Sequence, residues 1–366
     1  MKINFVDIKK QYNKMKSEID SAVLSVMSKG QFIMGQDVFD LEYNLSNYTE
    51  SEYSISCSSG TDALLLALMS LNIRPGDEII TTPFTFISTV EVILLLKAKP
   101  VFVDIREDTF NINEELIERA ITKKTKAIIP VSLFGQTSDM DSINYIAKKY
   151  GLKVIEDAAQ SFGAIYKKEK SCNISDIACT SFFPAKPLGC FGDGGAIFTN
   201  NQDLAEKMIS LRNHGQISKY NYAYTGINGR MDTIQAAILN IKLKYFDKEI
   251  VLRNKVAKIY NNILSDLELK TPFVEDHCIS VFAQYSILNN NRDSIIKSFK
   301  DKNIPYGIYY PKPLHLTGCC NHMGHNVGDF PISEDISKKI ISLPMHPYLQ
   351  EDEQNYICNV LKDAII

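Results

Sequence analysis

The sequence has no long uninterrupted apolar stretch. Its most hydrophobic segment, "VEVILLLKAKPVFV", is broken by Lys97 and Lys99, whereas a helical bilayer span takes about 20 apolar residues. The opening "MKINFVDIKKQYNKMKSEID" lacks the apolar core of a secretory leader. Nor is there an excess of one charge, the formal net charge being -3. That excludes the general electrostatic footprint of a nucleic-acid binder, though a local basic patch could still hold a phosphate. The eight cysteines include no CxxC pair, and thiols scattered through a large chain read as free groups in a reducing compartment. The expectation is a soluble, cytoplasmic protein with no nucleic-acid and no membrane partner.

What is present is an ordinary globular balance: 366 residues, 45% hydrophobic and 23% charged. That is long for one domain and suits a large one plus a small one. Residues 1–50 read as mostly helical, with Ile19, Val23, Val26 and Met27 at helical spacing. An alternation follows, from "YSISCSS" (strand) and "GTDALLLALMSLNI" (helix) to the strand "LKVIEDAAQ". This βαβα rhythm predicts an α/β fold, a mostly parallel sheet flanked by helices. Ligands of such sheets bind at the carboxyl ends of the strands. Long helical patterns come after residue 200, then a mixed α+β part closing on "EQNYICNVLKDAI". The expected division is a large domain over 1–250 and a small one over 251–366, meeting inside a long connecting helix.

Four segments carry candidate chemistry. In "SFFPAKPLGCFGDGGAIFTN", Lys186 stands between Pro184 and Pro187 in an apolar, glycine-rich run. The prolines hold the backbone extended, and an amine in apolar surroundings becomes nucleophilic by losing its charge. Taken alone, Lys186 also reads as a surface lysine whose stem packs on its neighbours. In "VIEDAAQSFGA" a strand ends in Asp157, with Gln160 three residues on. A carboxylate there could hold a protonated ring nitrogen, as pyridoxal phosphate (PLP) enzymes require, or equally cap the next helix. In "SSGTDALLLAL", Gly60 and Thr61 open a helix whose N–H groups suit a phosphate, although the spacing is not that of a P-loop. In "PFTFIST", Phe84 and Phe86 follow a strand, where an aromatic can stack on a planar ring or belong to the core.

Together these segments suit a flat, phosphorylated pyridine aldehyde bonded to a lysine. With "GINGRMDTIQAAIL" added, the chain resembles the DegT/DnrJ/EryC1/StrS family of sugar aminotransferases from "FVDIKKQY" through "SLPMHPYL". The resemblance implies a fold type I PLP-dependent transferase. It implies that Lys186 bonds the cofactor and then shuttles the proton, that Asp157 pairs with the ring nitrogen, that Gln160 sits near the ring oxygen and that Phe86 covers the ring face. Gly60, Thr61 and Ser181 are implied to hold the phosphate, and Asn228 to reach it from the second subunit of a homodimer. Family members use the cofactor in two halves. Glutamate leaves its nitrogen as pyridoxamine phosphate (PMP), and a ketosugar then takes it. A branch with histidine at the lysine position dehydrates sugars instead, so Lys186 points to transamination.

Within the family, "TKAIIPVSLFGQ" and "SLPMHPYL" resemble members acting on a nucleotide-linked 3-keto sugar, UDP-2-acetamido-2-deoxy-3-oxo-glucuronate, in bacterial O-antigen assembly. A uronate carboxylate suits Arg230, which could instead pair with Asp232. "GIYYPKPLHL" places Tyr309, Tyr310 and His315 in the segment that lines the sugar site in the family, and it departs from the pattern of the uronate enzymes. UDP-3-keto-N-acetylglucosamine or a dTDP-3-keto-6-deoxyhexose is therefore the alternative substrate. Arg212 and Lys219 could meet the diphosphate, although two cations near a glycine-rich loop are more often simply solvated. "GCCNHMGH" brings Cys319, Cys320, His322 and His325 together, but adjacent cysteines are poorly spaced for tetrahedral ligation, and no metal is expected. His214 reads as packing or loop structure. A PLP-binding regulator without catalysis is the reading from another class, although the first fifty residues offer no helix-turn-helix module.

Overall fold

The polar opening of the chain folds as two helices, α1 (Ile8–Lys29) and α2 (Gln36–Thr49), in this computed structural model, which describes residues 2–267 and 269–365. Asp7 caps α1 by accepting from the Lys10 amide at 2.8 Å, and Gly30 ends it in the left-handed region at φ 68°. Met15, Ile19 and Val26 are buried, while Met27 of the same pattern is exposed.

The central sheet has seven strands: β1 (Tyr53–Cys57), β2 (Glu78–Thr81), β3 (Lys99–Phe102), β4 (Thr125–Ile128), β5 (Lys153–Asp157), β6 (Ile177–Ser181) and β7 (Gly195–Thr199). Their order across the sheet is β1-β7-β6-β5-β4-β2-β3. Successive residues go to opposite faces, as the two-residue period requires. Ile79, Ala127, Ile155, Ile177 and Ile197 join one core, which includes Leu64, Leu66, Ala67 and Leu68 of α3 (Gly60–Ser70). Ile80, Ile128 and Val154 join another with Met140, Ile143 and Ala147 of α5 (Met140–Tyr150), and Ala178, Ala196 and Phe198 join a third with α2. A sheet buried on both faces explains the near-continuous apolar strands. Between β2 and β3 runs α4 (Ser88–Leu95).

One strand departs from the parallel expectation. β7 runs antiparallel to both β1 and β6. It returns from β6 through residues 182–194 without a crossover helix, and so direct a connection joins antiparallel strands. The carboxyl ends of β1, β2, β5 and β6 therefore share one edge of the sheet, where β7 begins.

After β7 come α6 (Gln202–Arg212) and the long α7 (Thr233–Leu264). Ala236, Leu239, Phe246 and Ile250 of α7 pack with α2 and β7. From Val256 onward the same helix packs into a separate core with β8 (Tyr285–Leu288), α8 (Arg292–Asp301), β9 (Ile340–Leu343) and α10 (Glu351–Ile365). β8 and β9 pair antiparallel, and α9 (Pro331–Lys339) leads into β9. No helix among the described residues is long and apolar enough to cross a membrane.

Candidate active site

The loop after β6 places Lys186. Its backbone turns at once, the Lys186 amide donating to the Phe183 carbonyl at 2.8 Å. Although the side chain as a whole is half-buried, burial of the amine pushes its pKa below the ordinary lysine range, opposed by the charge of Asp157. Among the described residues the amine takes no hydrogen-bond or ion-pair partner. A desolvated, unpaired lysine amine is set up for nucleophilic chemistry.

Asp157 ends β5 and is buried. Its Oδ2 accepts from the Thr89 hydroxyl at 2.7 Å and its Oδ1 from the Ala159 amide at 3.2 Å. Burial raises its pKa, while those donors and Lys186 pull it back. Gln160 is fixed from both ends. Its Oε1 accepts from the Phe134 amide at 2.9 Å, and its Nε2 donates to the Tyr310 hydroxyl at 3.2 Å. Tyr310 lies edge-on to Phe84, with centroids 6.1 Å apart, and tilted on Phe86 at 6.4 Å. The two phenylalanines divide the roles that the sequence left open: Phe84 is wholly buried, whereas Phe86 is 56% exposed. The preceding residue of β5, Glu156, points to the other face, held by Ser132, Ser171 and the Cys172 amide.

The N-terminus of α3 abuts Ser181. Ser59 caps the helix, accepting from the Asp62 amide at 3.0 Å, and Thr61 shares a hydrogen bond with Ser88 at 2.7 Å. A Cβ added at Gly60 would lie 2.7 Å from Ser181 Cβ, and one at Gly195 would lie 2.4 Å from the Ser59 carbonyl oxygen. These glycines are therefore required by close backbone approach. The result is a cradle with the Gly60 and Thr61 N–H groups at a helix start, a fit for a phosphate.

The remaining sequence candidates separate. Tyr309 is half-buried beside Tyr310, and the chain tightens there, since a Cβ at Gly307 would meet its ring at 2.5 Å. Asn228 is exposed on the loop whose Gly229 carbonyl accepts from the Ser58 amide at 2.9 Å. Arg230 pairs with neither Asp232 nor any carboxylate among the described residues. Its Nη1 donates to Asn213 at 2.6 Å and its buried Nε has no partner.

Two expectations are corrected. His315 is 1% exposed, its Nε2 is 3.1 Å from Glu334 and its ring packs on Phe330 at 4.7 Å, so it belongs to a buried cluster and not to an open sugar pocket. Arg212 is likewise buried, bonded to Glu42 at 2.5 Å and to the Ser56 carbonyl at 2.7 Å, and so is not free for a diphosphate. His214 is exposed, at a left-handed φ of 61°. Among the described residues, no His, Cys, Asp or Glu group of three or more could hold a metal. Sequence reasoning missed Ser88 and Thr89. Their signal was present, as the small polar residues closing "PFTFIST".

A strand-end carboxylate, a buried amine, an open aromatic face and a glycine-built phosphate cradle at one sheet edge together define a PLP-dependent enzyme of fold type I. The particular family follows: the chain belongs to the DegT/DnrJ/EryC1/StrS aminotransferase family, whose model matches residues 13–362. It is similar to the UDP-2-acetamido-2-deoxy-3-oxo-D-glucuronate aminotransferase of Pseudomonas aeruginosa, 48% identical over 98% of this chain and 99% of that one. It is also similar to a "pleiotropic regulatory protein" of Geobacillus stearothermophilus, 42% identical over 98% of this chain and 97% of that one. The solved structure of NtdA from Bacillus subtilis with bound cofactor PMP superposes with a TM-score of 0.92 at 32% identity, covering 100% of this chain and 85% of that one.

Proposed function

We propose that this protein transfers an amino group from glutamate to C3 of a nucleotide-linked 3-keto sugar, UDP-2-acetamido-2-deoxy-3-oxo-glucuronate, for bacterial surface polysaccharide such as O-antigen, in the cytoplasm. The observation that carries this reading is the 48% identity, sustained over nearly the whole of both chains, to the aminotransferase named for that sugar.

The site residues fit the family's cofactor. Lys186 offers the free amine, Asp157 the carboxylate for a ring nitrogen, Phe86 an open face, and Gly60, Thr61 and Ser181 the phosphate cradle. Bound there, PLP supplies the electron sink that loosens a proton beside the substrate nitrogen. Lys186, lowered in pKa by burial, takes that proton and returns it. Gln160, fixed by the Phe134 amide, keeps the Tyr310 hydroxyl at the same site. The side carrying Lys186 and Asp157 lies within 1–250, and Tyr309 and Tyr310 come from 251–366, so the sugar site lies between these two parts.

Arg230 is the residue for the uronate carboxylate, having donor capacity to spare and no acid of its own. Tyr309 and Tyr310 flank the sugar. Asn228, exposed on its loop, reaches the partner's phosphate cradle in a homodimer, and the exposed Leu24, Phe32, Ile33 and Phe39 of the α1–α2 region are apolar surface for that contact.

The test is to load the protein with PMP and offer a panel of UDP- and dTDP-linked ketosugars, following amination by mass spectrometry. Amination of the 3-oxo-glucuronate is expected to be preferred, with Arg230→Ala reducing it selectively. Amination of only the non-carboxylated sugars would assign the alternative, UDP-3-keto-N-acetylglucosamine or a dTDP-3-keto-6-deoxyhexose. The 42% identity to the protein named a pleiotropic regulator favours a second reading, a non-catalytic PLP-binding regulator. Conversion of glutamate to 2-oxoglutarate, with bleaching of the cofactor colour, excludes that reading.

A further inference from the structure

A second lysine stands behind the first. Lys242 lies on α7 between the buried Leu239 and Phe246, on a helical face that continues to the buried Glu249 and Arg253. It is 1% exposed, far from the usual place of a lysine. Its ammonium donates to the carbonyl oxygen of Gly189 and lies 5.1 Å from the centre of the Phe191 ring. No carboxylate among the described residues forms an ion pair with it. Burying a cation with so little compensation is costly, and the group it engages belongs to the loop that bears Lys186.

Around that contact the loop is closed in three ways. The Cys190 amide donates to the Phe182 carbonyl at 2.8 Å, and the Phe182 amide to the Gly194 carbonyl at 2.7 Å. A Cβ at Gly189 would come 2.6 Å from the Phe183 carbonyl oxygen and 2.7 Å from that of Pro184, so Gly189 is pressed against the start of the Lys186 turn. Nearer the start of α7, the Gln235 side chain accepts from the Phe191 amide at 2.8 Å. The long helix thus holds the loop at residues 189 and 191, and the 189 contact bears directly on the turn that aims Lys186.

We propose that Lys242 is a positioning residue for Lys186, fixing the Gly189 carbonyl and through it the turn at residues 183–186. This rests on the reading of Lys186 as the cofactor-bearing lysine, and it adds a residue outside the site. Lys242 touches none of the cofactor-holding groups. It acts through the backbone.

The experiment compares hydrogen–deuterium exchange of the cofactor-free protein with that of Lys242→Met, which keeps length and apolar bulk but loses the donor, and of Lys242→Gln, which keeps an N–H donor one bond shorter. The Lys186 and Cys190 amides are expected to exchange about tenfold faster in the Met variant, the loss expected for one charge-assisted hydrogen bond. The Gln variant should fall between. Amides of β4 and β5 should stay protected, and the thermal midpoint should stay equal or rise, because a buried cation has been removed. With PLP bound, kcat for glutamate should fall about tenfold at unchanged KM. Wild-type exchange in residues 183–190 of either variant would overturn the proposal, and if the Met variant does not fold, the Gln variant alone decides. Exchange is read without cofactor, so a protein that binds no PLP would overturn the catalytic reading while leaving the loop result to stand on its own.

Discussion

Gly60 is where a single methyl group would be felt. Its missing Cβ leaves room for Ser181, whose backbone is held in the sheet and cannot retreat. Gly60→Ala should push the start of α3 away from Ser181 and misalign the N–H groups of the cradle. Loss of one or two well-aimed bonds to a phosphate amounts to about 1–2 kcal/mol, so PLP affinity is expected to drop about tenfold in a titration followed by cofactor absorbance, with the fold retained by circular dichroism. Unchanged affinity would show that the phosphate sits elsewhere. At this scale the sequence was legible where residue type and strand-end position coincide. Asp157, Gln160 and Gly60 lie at or just after strands whose carboxyl ends could be read from the βαβ rhythm, and Lys186 stood out as a lysine between prolines in an apolar, glycine-rich run. It was not legible where a side chain's direction is decided by distant partners. His315 follows the tyrosines at residues 309 and 310 yet turns in to Glu334, and Arg212 is claimed by Glu42, far away in the chain.

Among elements, α7 does more than connect two parts. Lys242 brings a charge into its buried face, and the surrounding groups set when that charge is lost. Burial lowers the pKa to about 8, Glu249 and Cys190 oppose the shift, and Arg253 adds to it. The unfolded chain keeps the proton to near 10.5, so between pH 8 and 10.5 the unfolded state binds more protons and stability rises with pH. Below pH 8 the cost of the buried ammonium is complete and constant. Lys242→Met removes it. The stability advantage of the variant over the wild type, measured by urea unfolding, should therefore shrink by about 3 kcal/mol on going from pH 8 to pH 10.5. A constant difference would mean that Lys242 titrates as an ordinary exposed lysine. The lysine itself was visible in "AAILNIKLKYF" as a charge on an apolar helical face. Its target was not, because Gly189 meets it only once the loop has folded back. The reversed strand β7 escaped for a similar reason, since apolar alternation marks a strand and says nothing of its direction.

For the molecule as a whole, the placing of Asn228 makes a test of assembly. Lys186→Ala and Asn228→Ala should each be inactive or nearly so alone. If Asn228 serves the partner's site, co-expressed chains form mixed dimers in which one of the two sites has both residues, and the mixture should regain about a quarter of wild-type activity. If Asn228 serves its own chain, every site in the mixture is damaged and no activity returns. The order of the sheet has a consequence of another kind. Ser181 and Gly195 face each other across the last rung between β6 and β7, so everything between them is a ring fastened at its neck. Gly195 also sits against Ser59, and Ser181 against Gly60. The stretch that carries Lys186 and the start of α3 are thus mounted on one small bracket. The spacing between the base of the lysine loop and the start of α3 is therefore set by that bracket and by no more distant part of the chain.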